Sequence, residues 1–457
     1  MNVVLVYTGI SQIGFLSFYS GAMEMDSRQT PLGLLYLGAG LKKAGHRVTL
    51  LDLRLLTSFG HFRRRLEELD PEVVGIAVLT PNRDHAFRCA RIARELGKKV
   101  VGGGVYATDG ADDMVRNGGF DYVIRGEGDL SFPRLLAGLA EGRPPAEPII
   151  DGEVVHDLDT LPFPDLDLYD MEFISGRPWW RGFPPPAVGM ICSRGCPAKC
   201  TFCWPLSQKM FGAKIRYRSA GNIMEEVRHY RSRYGVKTIN FYDDTFPANR
   251  KLLIEFCDAM EKENTGIAWT INSRSNTFSE EIASTLARGG CRMVSFGFES
   301  GSQRILDMLQ KGITVGQSIS AAALCRKHRI PFLANILAGI PGETEADYEA
   351  SYAMLQEMKP DLIYYNTLMP TPGTAIHDYC VEHGLLKEIT SFEDYAVSPG
   401  HCLIKGVDYA RVQKWHQIIY RGKRGYRIAP YLDRFERLKR SLLRQIGYYP
   451  DYNRYGT

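Results

Sequence analysis

Two successive trains of short β-branched runs, each alternating with helix-length stretches, constrain this chain more than any other feature. The first train is NVVLVY (2–7), RVTLLDL (47–53), VVGIAVLT (73–80), KKVVGGG (98–104) and FDYVIRGEG (120–128), with helical patterns near 32–44, 58–69, 83–96 and 109–117. Strands joined through helices return to the same end of a sheet and so lie parallel. Nearly continuous apolar runs suit strands covered on both faces. Residues 1–140 are therefore expected to form an α/β domain, a doubly wound, Rossmann-like parallel sheet. The second train is VGMICS (188–193), KTINFYDD (237–244), IAWTINS (267–273), MVSFGFES (293–300), FLANILAG (332–339) and LIYYNTL (362–368). Six βα units predict a partial (β/α)6 barrel over 187–384.

Between the trains, residues 141–186 are rich in Pro, Asp and aromatics and lack periodicity, as in EGRPPAEP, LPFPDLDLYD and RPWWRGFPPPA. They read as an ordered linker. Residues 385–457 form a small, mostly helical basic segment. From Asp408 to Thr457 there are 12 basic and 4 acidic residues, so this end carries +8 and the rest −4 of a net charge of +4. Leu432, Phe435, Leu438, Leu442 and Ile446 recur at helical spacing. The expected structure is a docked terminal helix with a solvated basic face; the alternative is peripheral contact with an anionic membrane or substrate. No apolar run reaches the ~20 residues of a transmembrane helix, and MNVVLVYTGI lacks the pattern of a signal peptide. The chain is expected in the cytoplasm, where clustered cysteines hold metal or do redox work rather than form disulfides.

Four of the ten cysteines fall in ICSRGCPAKCTFCW, residues 191–204. Cys196, Cys200 and Cys203 form C-x3-C-x2-C at the end of the first barrel strand. Three thiolates on one tight loop can ligate three irons of a [4Fe-4S] cluster and leave the fourth iron open. A structural zinc site wants four closed ligands, and no second C-x2-C exists. Cys192 is expected to pack in the core.

CPAKCTFC resembles the cluster loop of the radical S-adenosylmethionine (SAM) superfamily, whose open iron chelates SAM and whose reduction yields a 5′-deoxyadenosyl radical. The resemblance implies roles in SAM binding for further residues. Phe202 would lean on the adenine. Asp243, Asp244 and Thr245 in NFYDDTFPANR would meet the amino group. Arg274 in INSRSN would meet the carboxylate, which suits its bidentate fork. Glu299 and Ser300 in GFESGSQRIL occupy a SAM-contacting position, and Gly339 lies in ILAGIPGET, where backbone approaches the adenosine. Singly, an aspartate pair can be a helix cap and a glycine a turn; their joint order after the cysteines carries the signal.

The first domain offers its ligand the loops at the carboxyl ends of its strands. Those loops contain Thr80 and Pro81, Gly102, Gly103, Gly104 and Tyr106, and Gly126, Glu127 and Gly128. Three successive glycines clear side chains from a surface on which a large flat ligand can lie. The layout resembles the cobalamin-binding domain of class B radical SAM enzymes. No Asp-x-His-x-x-Gly motif is present around His46, His61 or His85, so cobalamin is expected to bind without a protein histidine.

The resemblance implies a cobalamin-dependent radical SAM methyltransferase that moves a methyl group from methylcobalamin to an unactivated carbon. Its cofactors would be the [4Fe-4S] cluster, SAM and cobalamin, with a flavodoxin- or ferredoxin-type electron donor. The substrate would be a small or lipid-like molecule in a crevice lined by Trp179, Trp180, Tyr242 and Tyr365. Oxidative cyclisation or rearrangement on a tetrapyrrole or lipid is the sibling chemistry, and a non-catalytic cobalamin or metal sensor is a third reading. Nucleic acid is not an expected partner, because the basic tail is no stacking platform.

Overall fold

The first sheet orders its strands β2-β1-β3-β4-β5-β6, all parallel: β1 is Asn2–Tyr7, β2 Arg47–Asp52, β3 Val73–Ala77, β4 Lys99–Gly103, β5 Tyr122–Arg125 and β6 Ile149–Asp151. This computed structural model describes residues 1–9, 30–56, 58–171, 183–246, 249–389, 395 and 402–420. The chain leaves β1 in one direction to form β2 and comes back past it to form β3. That reversal is a topological switch point, where loops diverge and leave a crevice. The apolar runs form these strands because both faces are covered: Val3, Val4, Leu5 and Val6 are fully buried. One face packs on Phe62, Phe87 and Met114, the other on Leu34, Leu41 and Phe132.

Helices start where the sequence supplies caps. Ser58 Oγ accepts from His61 N at 3.1 Å to open Phe59–Leu69. In the second half, Thr314 and Gln317 form a reciprocal capping box at the start of Val315–Lys327. β6 is a three-residue strand within the stretch that the sequence reads as linker, too short to leave a periodic signal.

The second sheet runs β7 (Ala187–Met190), β10 (Thr238–Phe241), β11 (Ala268–Ser273), β12 (Cys291–Glu299), β13 (Phe332–Ala338) and β14 (Leu362–Thr367), in chain order and all parallel. Sequential parallel order with helices between is the partial barrel. The expected strand over 188–193 stops at Met190. The chain then leaves the sheet, and β8 (Ser193–Arg194) pairs antiparallel with β9 (Arg216–Tyr217). Residues 1–407 form one compact unit. Residues 408–457 form another, in which the helix Tyr409–Tyr420 buries Val412, Trp415 and Ile419. The helix expected over Leu432–Ile446 lies outside the described residues, as do Trp179 and Trp180. No helix among the described residues is long and apolar enough to cross a membrane.

Candidate active site

The carboxyl ends of both sheets open on one cavity of about 380 Å³. Its floor is apolar, with Leu5, Leu34, Val101, Ile124 and Phe132. One wall is backbone: Gly102, Gly103 and Gly104 at the end of β4, and Gly126 and Gly128 after β5. The facing wall comes from the barrel and the helix Leu206–Phe211: Ser193, Arg194, Met210, Phe211, Tyr242, Asp243 and Asp244.

At Gly33 and Gly103 the cavity has open space that a side chain would fill. A Cβ on Gly33 would meet nothing within 4 Å, and one on Gly103 only the Ile124 carbonyl at 3.8 Å. Gly104 has φ +96°, and a Cβ there would stand 2.9 Å from Val78 O. This surface fits a broad, flat ligand such as a corrin. None of the described residues that line it is a histidine. Thr80, Pro81 and Tyr106 stand outside the cavity. Tyr106 is drawn off by its own bonds: its hydroxyl donates to Asp113 at 2.6 Å and accepts from Arg83 Nε at 3.3 Å. Glu127 lines the cavity, but its carboxylate is committed to Arg216 and to Val155 N, the latter at 2.9 Å.

The cysteine loop follows β8. Cys200 is buried, Cys196 partly so and Cys203 exposed. Burial raises the Cys196 thiol, and the charges of Asp244 and Cys200 raise it further, so loading iron releases its proton. Among the described residues no three His, Cys, Asp or Glu side chains converge as a single-ion site requires. The donor set, three thiols on one loop with no fourth beside them in the motif, is the one that a [4Fe-4S] cluster with an open iron takes. Cys192 is not part of it: its side chain is buried in the core, and its N–H bonds Asp243 at 2.9 Å.

Around the loop the barrel ends gather charge. Arg274 Nη1 lies 3.4 Å from Cys200 Sγ, and its other nitrogen donates to Lys311 O. Lys311 Nζ pairs with Glu299 at 2.7 Å and stands 5.5 Å from the Phe202 ring. Glu299 sits at φ +63°, which turns its carboxylate back toward Lys311; a Cβ on Gly297 would collide with both groups. Asp243 accepts from Ser193 Oγ at 2.5 Å and from Cys192 N, and burial raises its carboxyl to about 6. It braces the strand-to-loop turn, whereas Asp244 beside it is exposed. Thr245 donates to the Asp244 carbonyl at 2.7 Å. Ser300 is turned to Ser351 Oγ, 3.2 Å away. Gly339 has φ +75° and donates its N–H to Glu343 at 2.7 Å; burial raises Glu343 to about 7.

Tyr242 lines the cavity, its ring filling the space beside Gly189, and Thr30 of the first domain bonds its hydroxyl. Tyr365 is buried beside Tyr348 and does not line the cavity. Sequence reasoning did not single out Gly33, Asp129, Arg194, Arg216 or Lys311. A usable signal existed for the arginines: residues 194–216 carry five basic side chains and no acid.

Comparison with known proteins agrees with this geometry. The model of the Radical SAM superfamily matches residues 190–355, and that of the B12 binding domain residues 23–136. The chain is similar to the uncharacterized methyltransferase PH0819 of Pyrococcus horikoshii, 33% identical over 378 residues, with 78% of this chain and 79% of that one covered. It is also similar to the anaerobic magnesium-protoporphyrin IX monomethyl ester cyclase of Rubrivivax gelatinosus, 27% identical over 400 residues, with 83% and 71% covered. Among solved structures, the radical SAM methyltransferase TsrM of Kitasatospora setae, with cobalamin and [4Fe-4S] cluster bound, has the same fold. Its TM-score is 0.65 at 18% identity, with 86% of this chain and 81% of that one covered.

Proposed function

We propose a function from one premise: the chain belongs to the radical SAM superfamily and carries a B12 binding domain ahead of its barrel. It is a cobalamin-dependent radical SAM methyltransferase that methylates an unactivated carbon of a small or lipid-like molecule. When bound, the cluster supplies the electron that cleaves SAM, and cobalamin supplies the methyl group. Cys196, Cys200 and Cys203 hold the cluster. Asp244 offers oxygen to an ammonium group, and Arg274 and Lys311 offer donors to a carboxylate. The glycines of the first sheet bring backbone against the corrin. Met210, Phe211 and Tyr242 exclude water between the two sites, so a radical formed there meets substrate rather than solvent. A flavodoxin- or ferredoxin-type donor in the cytoplasm feeds the cluster.

The observation that carries this reading is the shared cavity. Asp243 and Asp244 line it together with the glycine wall, and so does Gly195, the residue next to Cys196. The test is anaerobic reconstitution with iron, sulfide and hydroxocobalamin. One cluster and one retained cobalamin with a base-off EPR signal support the reading, as does a product heavier by one methylene (~14 mass units) with S-adenosylhomocysteine. A cluster without retained cobalamin overturns it. Similarity to the Rubrivivax cyclase favours a second reading, oxidative ring closure of a tetrapyrrole. That reading gives 5′-deoxyadenosine and a product without an added methyl. Reductive cleavage of SAM excludes a purely sensory role.

A further inference from the structure

The cysteine loop is closed at its base by the two-residue ribbon of β8 and β9, and in that ribbon Arg194 stands directly opposite Arg216. All three cysteines lie between these two arginines in the chain. Like charges directly opposite across an antiparallel pair repel. The loop cannot neutralise them itself, because residues 194–216 contain no acid. The counter-charge comes from the first sheet, in the loop after β5. Arg194 forks onto Asp129 at 2.7 and 3.1 Å and stands 3.5 Å from Glu127. Arg216 forks onto both oxygens of Glu127, one at 3.0 Å, and also donates to the carbonyls of Phe211, at 3.0 Å, and Val155. The side chain of Glu127 is 1% exposed and those of the other three at most 10%. A buried cation left without its partner is strongly destabilising.

We propose that Glu127 and Asp129 are positioning residues for the iron–sulfur cluster. By neutralising the facing arginines they close the ribbon beneath the cysteine loop, so the cofactor-binding loop of one domain is a structural part of the metal site of the other. Glu127 serves the cluster loop and not the corrin. The proposal requires the cluster and does not require cobalamin, so it stands or falls apart from the methyl-transfer reading.

The test uses the full chain, loaded with iron and sulfide and without cobalamin. Glu127→Gln, Arg216→Gln, Asp129→Asn and the double variant Glu127→Gln with Arg216→Gln are compared with wild type. Three readouts serve: the rate at which a chelator removes iron, the EPR spectrum of the reduced cluster, and amide exchange in β8 and β9 of cluster-free protein. Glu127→Gln is expected to lose iron about tenfold faster and to exchange the ribbon amides faster, because one arginine loses its counter-charge. Arg216→Gln in the same chain is expected to bring both readouts back toward wild type, because it removes the excess cation. Two results overturn the proposal. Either the single variants keep wild-type iron retention and amide protection, or the double variant loses as much as its two single changes summed. Where Glu127→Gln does not fold, as its thermal melt will show, Asp129→Asn with and without Arg194→Gln carries the same comparison. A wild type that takes up no cluster overturns the proposal together with the cluster assignment.

Discussion

The mouth of the first sheet and the mouth of the barrel face the same cavity and are built in opposite ways. The first is made by omission: Gly33, Gly103, Gly126 and Gly128 line the cavity with backbone, and Gly102 and Gly104 have no side chain because one would strike Met114 and Phe120 or the Val78 carbonyl. The second is made of side chains: Ser193, Arg194, Tyr242, Asp243 and Asp244 line the cavity, and the cysteine loop behind them gathers Arg274 at Cys200 and the Lys311–Glu299 pair. A large rigid ligand gains most from shape and close approach, and a small polar ligand from directed charge. The two walls therefore match the two kinds of cofactor, and Asp244 is where they meet.

The comparison breaks most sharply at Cys200. Cys200→Ala is expected to abolish the cluster EPR signal and all 5′-deoxyadenosine formation, while cobalamin uptake, read by absorbance after desalting, stays at the wild-type level. Loss of both would mean that the walls are not separable. Next is the pH dependence of Asp243, whose folded value near 6 lies above its ordinary 3.8. The folded chain binds that proton more tightly than the unfolded one. This stabilisation is complete below about pH 4 and is lost as pH rises toward 6, by roughly 3 kcal/mol for a shift of this size. Asp243→Asn is expected to lack that slope in denaturant unfolding between pH 4 and 7; parallel curves for the two proteins would count against the buried carboxyl. Gly104→Ala places a Cβ against Val78 O at positive φ and is expected to cost about 2 kcal/mol in the same assay. Smallest is Gly33→Leu. Its side chain enters open cavity, so cobalamin affinity should fall about tenfold while helix propensity keeps stability at or slightly above wild type. Unchanged affinity would remove Gly33 from the corrin surface.

The strands were legible because β-branched runs bounded by turn residues leave few alternatives, as at Val3–Val6 and Val73–Ile76. The cysteine loop was legible because its three thiols are neighbours in the chain. The glycine wall was legible in part: Gly102 to Gly104 advertise themselves, whereas Gly33 lies inside a helical pattern. What the sequence hid are pairings over long separations. Arg194 meets Asp129 across 65 residues, and Arg216 meets Glu127 across 89. Glu127 was read toward the corrin because its loop points there, but the arginines compete for its carboxylate and take it. Tyr106, expected at the corrin, likewise has its hydroxyl held by Asp113 and Arg83, partners the sequence did not point to.

The backbone of the cysteine loop is hung from two distant segments. Thr201 N bonds Leu309 O at 2.9 Å, Ile376 N bonds Thr201 O at 3.0 Å, and Ala375 N bonds Trp204 O at 2.8 Å. None of these bonds passes through a sulfur atom, so the attachment of the loop to the rest of the chain does not depend on its thiols. Loss of a cluster to oxygen is then expected to leave that attachment in place, ready to be refilled by resupplied iron and sulfide.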